Sequence, residues 1–260
     1  MIEFYSVLKE RANTTHLWCP IDTEENYKIY HKDLKSLNPY KPGDFTYVFN
    51  DHGLRCDNFT LPSDINIVFL GCSVTEGIGL PVEDTWSYQL LSKIRQKTNK
   101  NIPYWCLALG GTGIDTQSSL LHWFSKINKI DYVFSLIPSL SRREYLFNNN
   151  NNIQYWNIYL KNRILIDELF CDDNYQFYET YRSLMIIESI ISNRAIMHCT
   201  SWDTSESRDI FYKKELNSLN YFPSVIQTTE HARDGCHPGP TYHKKLANIF
   251  WDKVEHLFNP

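Results

Sequence analysis

The chain has 260 residues, 42% of them hydrophobic, enough to bury a full core in one large domain or in one domain with an extension. A formal charge of −4 and the lack of a dense Lys/Arg block argue against a nucleic-acid partner. No apolar stretch reaches the roughly 18 residues of a membrane span, and Met1-Ile2-Glu3-Phe4-Tyr5 lacks an export pattern, so a soluble chain without signal peptide, cytoplasmic at synthesis, is expected.

Residues 1–62 carry Pro20, Pro39, Pro42 and Pro62 and no long periodic run, and read as an N-terminal extension packed on the main domain. Within it, Tyr47-Val48-Phe49-Asn50 reads as a short strand entering a turn at Asp51-His52-Gly53, with Arg55 just beyond. From residue 63 to 260, short apolar runs alternate with amphipathic segments of helical length, the pattern of βαβ units around a mostly parallel sheet. Strands are expected at 66–71, 103–109, 131–137, 194–199 and 222–226, and helices at 83–97, 115–128, 155–169, 175–191, 207–218 and 240–257. In the last helix Tyr242, Leu246, Ile249, Phe250, Val254 and Leu257 recur at helical spacing, and Pro240 suits the first turn.

Asn148 to Asn152 favour turn backbone and predict a surface loop opening a helical insertion around 148–192. The aromatic residues of Tyr155 to Tyr181 offer faces for sugar rings, but Trp156, Tyr159, Phe170 and Tyr178 are read first as packing those helices onto the sheet. Seven cysteines, Cys19, Cys56, Cys72, Cys106, Cys171, Cys199 and Cys236, are odd in number and form no CxxC, which predicts reduced thiols, several buried in strands. No Cys/His/Asp cluster has ligand spacing, so neither a metal nor another cofactor is expected.

Glycine is placed unevenly. Gly71, Gly77 and Gly79 follow the first strand, Gly110, Gly111 and Gly113 follow the second, and Gly235 and Gly239 flank His237, so eight of the ten glycines lie in three short segments. In an open α/β sheet such strand-end loops share one edge, where ligands bind. Ser73 stands there after a strand, as a nucleophile would, although a serine at such a junction also caps helices. Gly71-Cys72-Ser73-Val74-Thr75 is not the G-x-S-x-G elbow, and Cys72, a rival by identity, belongs to the apolar run. Asp234 and His237 are spaced so that the carboxylate can hold one imidazole nitrogen and leave the other for a serine; His231 and His243 compete.

Gly71-Cys72-Ser73, Gly110-Gly111-Thr112-Gly113 and Asp234-Gly235-Cys236-His237-Pro238 together resemble, in order, the first, second and fifth blocks of the SGNH/GDSL hydrolase superfamily, over about residues 64–260. Phe49 to Arg55 is similar to a segment upstream in some members and carries no catalytic role. The resemblance implies a three-layer α/β/α sandwich with a flavodoxin-like, mostly parallel five-stranded sheet. It implies a serine esterase in which Ser73 attacks, His237 moves the proton and Asp234 holds His237, with the amides of Ser73 and Gly113 as oxyanion donors.

The third block departs from the family. Where Gly-x-Asn-Asp should follow the strand, the chain reads Pro138-Ser139-Leu140-Ser141-Arg142-Arg143-Glu144, with Leu140 at the asparagine position. Ser139, Ser141 and Arg142 are the local substitutes, and Arg142 could instead bind an anionic substrate group or pair with Glu144. The leading expectation is a hydrolase of a carboxylic ester, an O-acetyl or short acyl group on a carbohydrate. Its rivals are an O-acyltransferase with the same triad and a catalytically weak glycan-binding or structural module. Gly111-Thr112-Gly113 is only a fragment of a dinucleotide fingerprint, which sets nucleotide binding aside.

Overall fold

The computed structural model describes residues 5–34, 39–140, 142–149, 152–157, 173–192, 195–202, 219–223, 226 and 228–259. The N-terminal segment holds α1 (Ser6–Arg11), β1 (Thr15–His16), α2 (Glu24–Leu34) and β2 (Tyr47–Val48). Then follow β3 (Ile67–Gly71), α3 (Ser73–Glu76), α4 (Trp86–Thr98), β4 (Trp105–Ala108), α5 (Ile114–Phe124) and β5 (Tyr132–Ile137). Beyond these come β6 (Arg142–Asn149), β7 (Asn152–Asn157), α6 (Asp173–Ile191), β8 (Ile196–Ser201) and α7 (Pro240–Val254).

The central sheet has the order β4-β3-β5-β8, all parallel. Period-two alternation along its strands sorts side chains into two layers. Val68, Leu70, Leu107, Val133 and Met197 cluster with Leu120, Leu121 and Phe124 of α5 and Leu184 and Ile187 of α6. Ile67, Phe69, Cys106, Phe134 and Leu136 cluster with Trp86, Leu90 and Leu91 of α4 and Leu246 and Phe250 of α7. The result is a three-layer α/β/α sandwich, and β3 is the strand from which the order runs both ways, the point where such folds bind ligands.

Several expectations need correction. The strand at 222–226 is reduced to one parallel bridge, Tyr221 to Cys199, with the Phe222 N–H on the Cys199 carbonyl at 3.0 Å. Residues 224, 225 and 227 lie outside the described residues, among which the central sheet has four strands. The segments on either side of residues 150–151, which lie outside the described residues, pair as antiparallel strands: Asn149 pairs with Asn152, and Arg143 with Trp156, where a loop and a helix were expected. The rest of that expected helix and the helix at 207–218 fall outside the described residues, as do Tyr159, Phe170 and Cys171. Tyr178 on α6 is 59% exposed and does not pack on the sheet. The described cysteines are all free thiols, with Cys106 and Cys199 buried in strands.

Helices α1 and α2 were not foreseen. Thr23 accepts the Asn26 N–H at 3.1 Å, and Glu24 and Glu25 occupy the first turn, so α2 begins with a capped, acidic N-terminus. Tyr5, Leu8, Leu54 and Phe59 of the N-terminal segment join the core cluster under α5. Gly71 ends β3 because nothing larger fits: a Cβ there would lie 1.9 Å from Thr75 Oγ1. Thr75 is fully buried and accepts the Trp86 indole N–H at 3.2 Å, so it cannot give way. Gly71→Ala is expected to cost about 1–3 kcal/mol in urea denaturation.

Candidate active site

Cys72 turns the chain out of β3 with φ −115° and ψ −146°, and Ser73 becomes the first helical residue of α3, not its cap. Its carbonyl accepts the N–H groups of Gly77 at 3.0 Å and Ile78 at 3.1 Å, while its hydroxyl makes no hydrogen bond among the described residues. Cys72 and Ser73 are both buried, at 2% and 4% exposure, so burial alone does not separate the thiol from the hydroxyl.

The loop after β4 lies against Ser73. A Cβ on Gly110 would be 3.6 Å from Ser73 Cβ, and the Gly110 N–H donates to Glu76 Oε2 at 2.6 Å. The other oxygen of Glu76 takes Arg11 at 2.8 Å, a buried ion pair that ties the N-terminal segment to α3. Gly113 precedes α5 in extended backbone, and a Cβ there would fall 2.1 Å from the Arg142 carbonyl. The second loop and the third thus meet at a glycine that no other residue could replace without moving main chain.

Asp234 and His237 occupy a tight turn held by Ala232 N–H to His237 C=O at 2.9 Å and Gly239 N–H to Glu230 C=O at 3.0 Å. Asp234 is fully buried; Oδ2 meets His237 Nδ1 at 2.5 Å, and Oδ1 accepts the N–H groups of His237 at 3.0 Å and Cys236 at 3.2 Å. Burial pushes the Asp234 carboxyl up, but the His237 hydrogen bond and charge and the two amides outweigh it and hold it below the ordinary carboxylate value. With Nδ1 committed to the carboxylate, the proton sits on that nitrogen and Nε2 is left as the basic one. Nε2 has no hydrogen bond among the described residues, to Ser73 or to any other group. Helix α2 closes over this turn: Gly235 has φ +70°, and a Cβ there would lie 2.5 Å from Tyr30 Cβ.

Of the rival histidines, His243 has a role in the core, whereas the His231 imidazole has its Nδ1 buried without a hydrogen-bond partner. His243 is buried, accepts the Trp86 N–H at 3.0 Å and bonds the Pro238 backbone; burial, and then the charge of His237, push it down to about 3. His231 pairs its backbone with Pro238 across the turn.

At the third block, Leu140 is 2% exposed and belongs to the hydrophobic core, so no donor stands at the asparagine position. The Ser139 carbonyl accepts the Arg142 N–H at 3.0 Å, and Ser141 lies outside the described residues. Arg142 does not pair with Glu144, and its Nη1 is buried without a hydrogen-bond partner. Glu144 instead takes the Tyr5 hydroxyl at 2.9 Å and the Thr116 hydroxyl, while its N–H donates to Asp115 Oδ2 at 2.7 Å.

Burial first, and the Asp115 carboxylate second, raise Glu144 to about 7, against the opposing hydrogen bonds from Thr116 and Tyr5. An acid raised in the folded chain binds its proton more tightly there than when unfolded. Its stabilising contribution is full below the ordinary value of 4.5 and is lost as pH rises through about 7. Glu144→Gln should match wild type near pH 4.5 and exceed it above pH 7 by up to about 3 kcal/mol, which thermal melts across that range would read.

Residue chemistry alone did not single out Glu76, Asp22, Tyr47 or Arg233 for this region, nor Trp202. Trp202 is 38% exposed at the end of β8 and packs edge-on against Tyr242 at 5.5 Å. Among the described residues, no group of His, Cys, Asp and Glu is arranged to hold a metal ion, and no helix is long and apolar enough to cross a membrane.

The sequence matches no family model and no curated protein. Solved structures do match. An acetyl xylan esterase (Est2A) from the rumen bacterium Butyrivibrio proteoclasticus shares 13% identity over 76% of this chain and 65% of that chain, with a TM-score of 0.50. TesA shares 13% identity over 74% of this chain and 99% of its own, with a TM-score of 0.50. A catalytic mutant of Axe2, an acetylxylan esterase from Geobacillus stearothermophilus, shares 11% identity over 78% and 99%, with a TM-score of 0.51. The chain covers less than two thirds of Est2A. At these identities the likeness establishes the fold, which is SGNH/GDSL hydrolase-like.

Proposed function

We propose that the chain hydrolyses a carboxylic ester, with Ser73 as nucleophile, His237 as general base and then general acid, and Asp234 as the carboxylate that orients the imidazole. The observation that carries this reading is the 2.5 Å Asp234–His237 contact, on the sheet edge where Ser73 presents an unbonded hydroxyl. No hydrogen bond joins Ser73 to His237 among the described residues, and a nucleophile–base bond often forms only once substrate is bound. His237 takes the hydroxyl proton as Ser73 Oγ attacks the carbonyl carbon, then gives it to the departing alcohol; water repeats the sequence and releases the acid. The amides of Ser73 and Gly113 receive the developing oxyanion, and Arg142 takes the part of the missing asparagine, a role supported by its buried, unpaired Nη1.

The substrate we propose is an O-acetyl or other short acyl group on a carbohydrate, by analogy with the acetyl xylan esterases that share the fold. With a sugar or other alcohol in place of water the same groups would act as an O-acyltransferase, which product analysis with added alcohol separates from hydrolysis. The burial of Leu140 favours a second reading, a catalytically weak glycan-binding or structural module. Acetate release from acetylated xylo-oligosaccharides and turnover of p-nitrophenyl acetate, each in wild type and Ser73→Ala, test the proposal. Activity lost with Ser73 supports it; equal rates in the two proteins favour the module.

A further inference from the structure

Arg233, the residue before Asp234, is fully buried and reaches back across 211 positions to Asp22. Its Nη2 meets Asp22 Oδ2 at 2.7 Å and the Leu17 carbonyl at 2.7 Å, and its Nε lies 3.2 Å and 3.1 Å from the two Asp22 oxygens. The guanidinium is sandwiched 3.9 Å from the Phe45 ring and 4.3 Å from the Trp18 ring. Asp22 Oδ2 also accepts the Tyr47 hydroxyl at 2.5 Å, and that same hydroxyl accepts the Gly79 N–H at 2.7 Å. The Gly79 carbonyl in turn accepts the Arg233 N–H at 2.9 Å. Asp22, Tyr47, Gly79 and Arg233 form a closed ring of bonds.

That ring joins the two halves of the candidate site. Gly79 lies in the loop that leaves α3, whose amides at Gly77 and Ile78 hold the Ser73 carbonyl. It has φ +78°, and a Cβ there would sit 2.7 Å from Ala232 Cβ and 3.1 Å from Asp234 Oδ1. Arg55 fixes the same loop from outside, donating to the carbonyls of Glu76 at 3.2 Å, Gly77 at 2.6 Å and Leu80 at 2.8 Å while stacked 4.3 Å from the Tyr47 ring. Ile21, next to Asp22, is held at φ +81°, a conformation that β-branched residues adopt only when the surroundings impose it. A buried ion pair adds little net stability because desolvation offsets its attraction, so a pair this elaborately seated points to registry.

We propose that Asp22, Tyr47 and Arg233 are positioning residues, and that the ring they make with Gly79 sets the placement of the Asp234–His237 turn against the Ser73 loop. The N-terminal segment then belongs to the catalytic unit. The proposal rests on the triad reading above.

Tyr47→Phe in the full chain is the decisive variant, because it keeps the ring under Arg55 and the Asp22–Arg233 pair while removing the bridging hydroxyl. For p-nitrophenyl acetate, kcat should fall roughly 10- to 100-fold with KM little changed, since small misplacements of reacting groups have effects of that order. The His237 Nδ1–H proton resonance, assigned by its absence in His237→Gln, should move upfield or broaden as the 2.5 Å bond to Asp234 loosens. Arg233→Lys, which keeps the charge but loses the fork, should act in the same direction. A lower melting temperature with kcat and the His237 Nδ1–H resonance both as in wild type would overturn the proposal and leave the ring a stabilising feature only. The NMR readout needs no turnover, so a wild-type chain without esterase activity would refute the triad reading while the Nδ1–H resonance still decides the positioning claim.

Discussion

Asp234→Asn is expected to lower kcat for ester hydrolysis by about 10⁴-fold, with little change in the fold. An asparagine keeps the Oδ1 acceptor that receives the amides of Cys236 and His237, so the turn can hold its shape. What it loses is the oxygen that meets His237 Nδ1 at 2.5 Å. An amide NH₂ placed there favours the opposite tautomer, with the proton on Nε2, and the imidazole can no longer accept the Ser73 proton. The loss should fall on kcat and not on KM, because substrate binding does not pass through Nδ1. Steady-state kinetics with circular dichroism as a fold control would check it, and near-wild-type turnover in a folded variant would contradict it.

Arg142→Ala should cost about 10²–10³ in turnover, the usual effect of removing one oxyanion donor. Leu140 is packed into the core and supplies nothing polar at the position where the resemblance leads one to expect asparagine. Arg142 stands two positions on, its main chain lies against Gly113, and Nη1 is buried with no partner. A buried guanidinium nitrogen without an acceptor is costly unless something negative arrives during function. The kinetic split distinguishes two roles: a kcat loss at constant KM marks an oxyanion donor, whereas a rise in KM marks recognition of an anionic group on the substrate. Arg142→Lys should recover only part of the loss, because an ammonium cannot reproduce the planar fork. An unchanged kcat/KM in Arg142→Ala would remove the residue from the site.

The parts of the fold and site that were legible are those written locally. The run Ile67 to Gly71 reads as a buried strand because a parallel strand covered on both faces is apolar throughout, and all five of its residues are buried. The three glycine clusters mark the loops that meet at one sheet edge, since close approach of main chain leaves its trace as a missing Cβ. Asp234 and His237 are legible because three positions of separation let a turn close one hydrogen bond.

The remainder depends on partners far apart in the chain. Asp22 and Arg233 have no periodic relation across 211 positions, and the Arg11–Glu76 bridge is equally silent in sequence. The hairpin of β6 and β7 was read as loop and helix because an aromatic-rich segment after an asparagine run suits either period. Helix α2 is polar along most of its length and gives little apolar periodicity, although Thr23-Glu24-Glu25 carried its start signal.

The central claim, that Ser73 is a nucleophile activated by His237, is tested most directly by a serine-directed phosphonate followed by peptide mapping of the intact chain. One adduct per chain is expected, on Ser73, formed in wild type and lost in His237→Gln. Absence of any adduct on Ser73 in wild type, or an adduct that forms equally fast without His237, would contradict it.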